Sequence, residues 1–136
     1  MKLGLKEDMS RVALVVDDSM LIRHSVCRFL EERGFIVEAA TNGQEAIEIL
    51  STVLPDIVIT DLQMPKMTGS ELITRLKAVP QTANIPVVVL AGRGVSQETP
   101  ETRADFIIYK DIEIEAQIAK AVLTVLGETP TPQGVR

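Results

Sequence analysis

Five short runs of mostly β-branched apolar residues alternate along this chain with longer segments of helical period: Val12 to Val16, Phe35 to Ala39, Ile57 to Thr60, Pro86 to Leu90 and Phe106 to Tyr109. A strand with one wet face alternates apolar and polar side chains, whereas a nearly unbroken apolar run belongs to a strand covered on both faces. Strands of that kind, separated by helices, predict an α/β chain wound as a doubly covered parallel sheet. At 136 residues, one domain with one sheet accounts for the length.

The helices between the runs are legible from spacing. Ile22, Val26, Phe29 and Leu30 share one face of a helix, and Gly34 supplies a left-handed stop after it. Thr41 with Gln44, and Thr68 with Glu71, have capping-box spacing. Each is followed by helical apolar positions: Ile47, Leu50 and Leu54, then Leu72, Ile73 and Leu76. Ile114, Ile118, Val122 and Leu126 mark a last amphipathic helix ending at Gly127. Between Gly92 and Arg103 two glycines and Pro100 interrupt any helix, so the fourth crossover helix is expected to be degenerate. Residues 1–10 have no period and are read as a leader; 11–127 form the domain, and 128–136 read as a flexible tail or linker stub.

Composition excludes several classes. Fourteen Lys and Arg stand against 19 Asp and Glu, a net charge of −5, the wrong sign for direct capture of nucleic acid. No apolar stretch approaches the roughly 20 residues of a membrane helix, and the chain is expected to be cytoplasmic, with no membrane partner. With one cysteine, Cys27, and one histidine, His24, there is no zinc cluster, and any metal must be held by oxygen. Cys27 reads as a small hydrophobe, His24 as a surface or boundary residue, and Met64 and Met67 as packing residues.

Charged residues collect directly after the apolar runs: Asp17 and Asp18 after the first, Asp61 after the third, Lys110 after the fifth. In an open parallel sheet the ligand crevice lies outside the carboxyl ends of the strands, so these side chains converge. Carboxylates crowded together repel, and a hard cation such as Mg²⁺ relieves them. A carboxylate is also a nucleophile in enzymes that form aspartyl phosphates, and a lysine can neutralise phosphoryl oxygens.

Val-Val-Asp-Asp-Ser (15–19), Thr-Asn-Gly-Gln-Glu-Ala (41–46), Pro-Asp-Ile-Val-Ile-Thr-Asp-Leu-Gln-Met-Pro-Lys-Met-Thr-Gly (55–69) and Lys110 resemble the receiver domain of two-component response regulators. The resemblance implies a flavodoxin-like five-stranded sheet in the order 2-1-3-4-5. It implies Asp61 as phosphoacceptor, and Asp18, Asp61 and the main-chain carbonyl of Gln63 as direct Mg²⁺ ligands. Asp17 would bind through water, and Lys110 would contact the phosphoryl group. The implied partners are a sensor histidine kinase or phosphotransfer protein and an output protein; catalysis extends at most to the chain's own phosphorylation and dephosphorylation.

The chain departs from the family where phosphorylation is read out. Ala91 stands where a Ser or Thr hydroxyl is usual, Asp111 follows the lysine in place of Pro, and Ile107 occupies the position of an aromatic switch residue, with Phe106 and Tyr109 out of phase around it. Arg93, two positions after Ala91, is a charge near the site within reach of a phosphate, and reads as a solvated loop arginine. A second reading is therefore an atypical receiver acting by constitutive protein interaction, with phosphorylation weakly coupled. A third, an aspartyl-nucleophile hydrolase, ranks last: that family expects a second Asp two positions after its nucleophile, where this chain has Ser19 and Gln63.

Overall fold

The computed structural model describes residues 11–92, 103–110 and 113–127. The leader, the tail, Arg93, Asp111 and nearly all of the stretch expected to hold a degenerate helix lie outside them. The described elements are β1 (Val12–Val16), α1 (Met20–Glu31), β2 (Ile36–Ala40), α2 (Gly43–Leu50), β3 (Ile57–Asp61), α3 (Gly69–Ala78), β4 (Val87–Ala91), β5 (Phe106–Tyr109) and α4 (Ile114–Leu126). All strand pairs are parallel, and the five strands lie in the order β2-β1-β3-β4-β5.

Strand alternation sorts the core into two layers. Ala13, Val15, Ile57, Ile59, Val88, Leu90 and Ile108 pack beneath α1 and α4, against Val26, Phe29, Leu30, Ile118 and Val122. Leu14, Val16, Val58, Val87 and Val89 face the other way, against Ala46 of α2 and Leu72, Ile73 and Leu76 of α3. Both faces of β3 and β4 are buried throughout, which is why their sequences lack alternation. The edge strands differ: β2 has exposed Ile36 and Ala39, and β5 ends on exposed Tyr109.

Element ends follow local chemistry, with one-residue corrections. Thr68 and Glu71 form the expected capping box at α3. At α2 the cap is Asn42 rather than Thr41: its Oδ1 accepts from Glu45 N at 2.9 Å, while Thr41 N donates to Glu45 Oε1 at 2.7 Å. Asn is a good N-cap, and its position lets the Glu45 carboxylate reach back one residue further. The second strand begins at Ile36 because Phe35 turns into the core; the fourth begins at Val87 because Pro86 has no N–H, although its carbonyl accepts from Val58 N at 3.0 Å. Gly34 (φ 94°) and Gly127 (φ 75°) take the left-handed conformation that ends α1 and α4.

The other end of the sheet is also acidic. Val12 N donates to Asp56 Oδ2 and Val87 N to Asp105 Oδ2, each at 2.8 Å. These two aspartates precede β3 and β5 and satisfy the first N–H of the neighbouring strand.

Candidate functional site: an acidic crevice at the carboxyl ends of the strands

The register of the sheet brings the charges together. Val16 pairs with Thr60, which places Asp17 beside Asp61 at the ends of the two central strands. Asp61 pairs with Leu90, and Ala91 with Tyr109, so Lys110 emerges just beyond the neighbouring edge. From β5 the lysine reaches past the end of β4 to β3, roughly 10 Å at the usual strand spacing. Its Nζ lies 2.8 Å from Asp17 Oδ2 and 3.0 Å from Asp61 Oδ2.

Each buried carboxylate is held by the main chain at one oxygen and meets the lysine with the other. Asp17 Oδ1 accepts from Ser19 N at 2.8 Å. Asp61 Oδ1 accepts from Leu62 N at 2.8 Å, and the longer Gln63 N approach of 3.4 Å brings that residue to the rim. Asp17 is fully buried, Asp61 is 4% exposed, and Asp18 is open to solvent. One carboxylate oxygen from each of the three lies within 4.8 Å of the others. An all-oxygen donor set of this charge suits Mg²⁺, with Asp18 the member open to an arriving ion.

The electrostatics are asymmetric. Burial, then the Asp17 charge beside it, push the Asp61 carboxyl above its ordinary value, and Lys110 offsets them only partly. Burial works against the Lys110 ammonium, but its two carboxylate partners outweigh burial and hold the lysine above its ordinary range. Asp61 is thus a desolvated carboxylate whose negative charge depends on cations close by.

The loop after Asp61 is shaped around it. Gly69 N donates to Leu62 O at 3.0 Å, and a Cβ on Gly69 would sit 2.1 Å from the Asp61 carbonyl oxygen, an impossible approach. The glycine eight residues after Asp61 therefore lets α3 begin against the end of β3. Lys66 adopts a left-handed φ of 69° within this loop, and buried Met64 and Met67 fasten it to the core as packing residues. A Cβ on Gly43 would meet the Met67 main chain at 2.8 Å, so the start of α2 is fitted to the same loop.

At the readout positions, Ala91 is buried at the end of β4, and its carbonyl accepts from Lys110 N at 2.9 Å. Ile107 is half-buried against the α2 and α3 layer, whereas Phe106 packs in the opposite layer. Tyr109 corrects the sequence reading: by strand alternation it shares a side with Ile107, and it is exposed. His24 is exposed. Cys27 is half-buried, and its thiol is pushed up to about 11, chiefly by burial, so it is not a reactive thiolate.

Two supporting residues had little sequence signal. Arg23 Nη1 donates to Asp17 O at 2.8 Å and ties the turn after β1 to α1. Gln117, in α4, binds the main chain of Tyr109 next to the lysine. Its only sequence mark is a polar side chain beside the apolar stripe of Ile114 and Ile118.

The response regulator receiver domain family matches residues 13–122. The chain belongs to this family. The receiver is 32% identical over 120 residues to the response regulator MprA of Mycolicibacterium vanbaalenii, covering 86% of this chain and 51% of that protein. It is 35% identical over 115 residues to the phosphate regulon transcriptional regulatory protein PhoB of Escherichia coli, covering 82% and 50%. It thus spans about half the length of these curated relatives. Among solved structures, the chemotaxis response regulator CheY4 of Vibrio cholerae superposes with a TM-score of 0.78 at 28% identity, covering 86% of this chain and 99% of that one. The signal receiver domain of a histidine kinase from Syntrophus aciditrophicus gives 0.77 at 28%, covering 93% and 98%. The flavodoxin-like fold in the order 2-1-3-4-5 and a place in phosphoacceptor two-component signalling follow from this membership. Among the described residues no helix is long and apolar enough to cross a membrane.

Proposed function

We propose that Asp61 takes a phosphoryl group from the phosphohistidine of a sensor histidine kinase or phosphotransfer protein in a Mg²⁺-dependent reaction, and that the phosphorylated receiver changes its binding to an output protein. The observation that supports this most directly is the Lys110 ammonium between Asp17 and Asp61, 2.8 Å and 3.0 Å from their Oδ2 atoms, at the mouth of a three-carboxylate crevice. An Asp61 carboxylate oxygen attacks phosphorus; the O–P bond forms as the P–N bond breaks, and the imidazole nitrogen keeps the bonding pair. Such a transfer needs alignment and charge neutralisation more than acid–base chemistry.

The chain's own residues divide that work. Leu62 and Gln63 amides orient Asp61 through Oδ1. Lys110, already at Oδ2, contacts the incoming phosphoryl oxygens. Asp18, Asp61 and the Gln63 carbonyl would hold Mg²⁺ directly and Asp17 through water, and the ion would supply further positive charge to the phosphoryl group. The domain is taken as 11–127, acting in the cytoplasm, without direct contact to nucleic acid or membrane. The transcriptional role in the name of PhoB belongs to that whole protein.

The test is incubation with Mg²⁺ and acetyl phosphate, read by intact mass. One phosphoryl adduct in the wild type and none in Asp61→Asn supports the reading; an adduct that persists in Asp61→Asn overturns it. The second reading, constitutive interaction with weak coupling, is favoured by the buried methyl of Ala91 where a hydroxyl would bind the phosphoryl group.

A further inference from the structure

Strand β5 is an edge: β4 lies on one side of it, and among the described residues no strand lies on the other. In a strand, the N–H and C=O of one residue point to the same side, and those of the next residue to the opposite side. Lys110 N points inward and donates to Ala91 O at 2.9 Å. Tyr109 therefore directs both its N–H and its C=O to the open edge. There the Gln117 side-chain amide takes both: Tyr109 N donates to Gln117 Oε1 at 3.0 Å, and Gln117 Nε2 donates to Tyr109 O at 2.8 Å.

This pair of bonds reproduces what a sixth strand would offer. We infer that Gln117 is a positioning residue for Lys110: by closing the β5 edge at Tyr109 it fixes the backbone from which the lysine reaches Asp61. Three observations make the clamp consequential. The lysine must span the end of β4, so a small rotation at its Cα displaces Nζ by more. The clamped residue immediately precedes the lysine, leaving one peptide unit between them. And Asp111 follows the lysine, so there is no proline ring at that position to stiffen the chain from the other side. Gln117 itself sits on a firm base, one turn into α4, with Ile118 beside it buried in the core and its own N–H donating to Glu113 O at 3.3 Å.

The inference rests on the proposed role of Lys110, and a double-mutant cycle separates the two. Rates of Asp61 phosphorylation by acetyl phosphate at saturating Mg²⁺ are measured by intact mass for the wild type, Gln117→Leu, Lys110→Ala and the double variant. Gln117→Leu should react about tenfold more slowly, less than the ~100-fold that a 1 Å misplacement can cost. In the Lys110→Ala background the same substitution should change the rate by less than about twofold, because a residue acting through the lysine has nothing left to position. Equal fold losses in the two backgrounds, or a wild-type rate in Gln117→Leu beside a slow Lys110→Ala, overturn the inference while leaving the lysine's role intact. A wild-type rate in Lys110→Ala overturns that role instead.

Hydrogen exchange checks the clamp without a rate. The Tyr109 amide should be protected in the wild type and exchange faster in Gln117→Leu. Gln117→Glu, which keeps the acceptor for Tyr109 N–H but loses the donor to its carbonyl, should retain that protection and recover only part of the phosphorylation rate. An unprotected Tyr109 amide in the wild type overturns the inference.

Discussion

Both ends of the sheet carry aspartates, and they are used in opposite ways. At the amino ends of the strands, Asp56 and Asp105 each give an oxygen to the first N–H of an adjacent strand, Val12 and Val87. At the carboxyl ends, Asp17 and Asp61 each give only Oδ1 to the main chain and leave Oδ2 to Lys110, with Asp18 unburied beside them. The first pair pins strands together. Asp17 and Asp61 are crowded, desolvated and held by one lysine, an arrangement that favours a further cation and a phosphoryl group. Residue type does not distinguish the two ends; what surrounds each oxygen does.

Substitution should separate the ends cleanly. The largest effect is expected at Asp61: Asp61→Asn should abolish phosphorylation by acetyl phosphate, checked by intact mass. Asp18→Ala should come next. It removes the one exposed carboxylate of the cluster and should weaken Mg²⁺ binding at least about tenfold, since hard-cation affinity follows ligand charge and number. Titration followed by amide shifts at the ends of β1 and β3 measures it, and an undiminished response would remove Asp18 from the site.

At the opposite end, Asp56→Ala and Asp105→Ala should each destabilise the fold by about 1–3 kcal/mol, the cost of stranding a partly buried N–H. Urea unfolding would measure the loss, and the phosphorylation rate of the folded protein should be unchanged. Ala91→Thr should have a comparable energy but a different readout. A hydrogen bond to a charged phosphoryl oxygen is worth ~1.5–3 kcal/mol. That is a large part of the ~5.5 kcal/mol needed to carry a two-state switch from 1:99 to 99:1. The threonine should enlarge the amide shifts that beryllofluoride induces in β4 and β5; equal shifts in both proteins would mean that the hydroxyl is dispensable here.

The smallest predicted effect is on stability against pH. The folded Asp61 carboxyl titrates above the ordinary aspartate value of 3.8, because of burial and then the Asp17 charge. Its favourable contribution is therefore complete below 3.8 and is lost as pH rises through the folded value. In metal-free buffer at neutral pH, Asp61→Asn should melt above the wild type, and the difference should shrink on acidification below that value. A lower melting point for Asp61→Asn at neutral pH would show that its bonds to Leu62 N and Lys110 outweigh the desolvation.

Much of this was legible in the chain before folding. Unbroken apolar stretches at 13–16 and 57–59 report strands covered on both sides, because each of their residues packs in one of the two core layers. The crevice was legible for a related reason: parallel strands put all their carboxyl ends on one side, so residues after strands must meet. Asp17, Asp18, Asp61 and Lys110 needed no more than that rule to be grouped.

Tertiary structure alone decided how each oxygen is used. Position along the chain puts Asp56 and Asp105 before their strands and Asp61 at the end of its own; which N–H each carboxylate takes is assigned by the register with a neighbouring strand. The α2 cap is Asn42 rather than Thr41, and the helix start it caps is fitted against the Met67 main chain, a contact between segments far apart in sequence. Gln117 reads as a polar residue on a helix until β5 proves to be an edge with two main-chain groups to satisfy. Periodicity records whether a side chain is covered. Its partner depends on strand order and register, which arise only when distant segments pack.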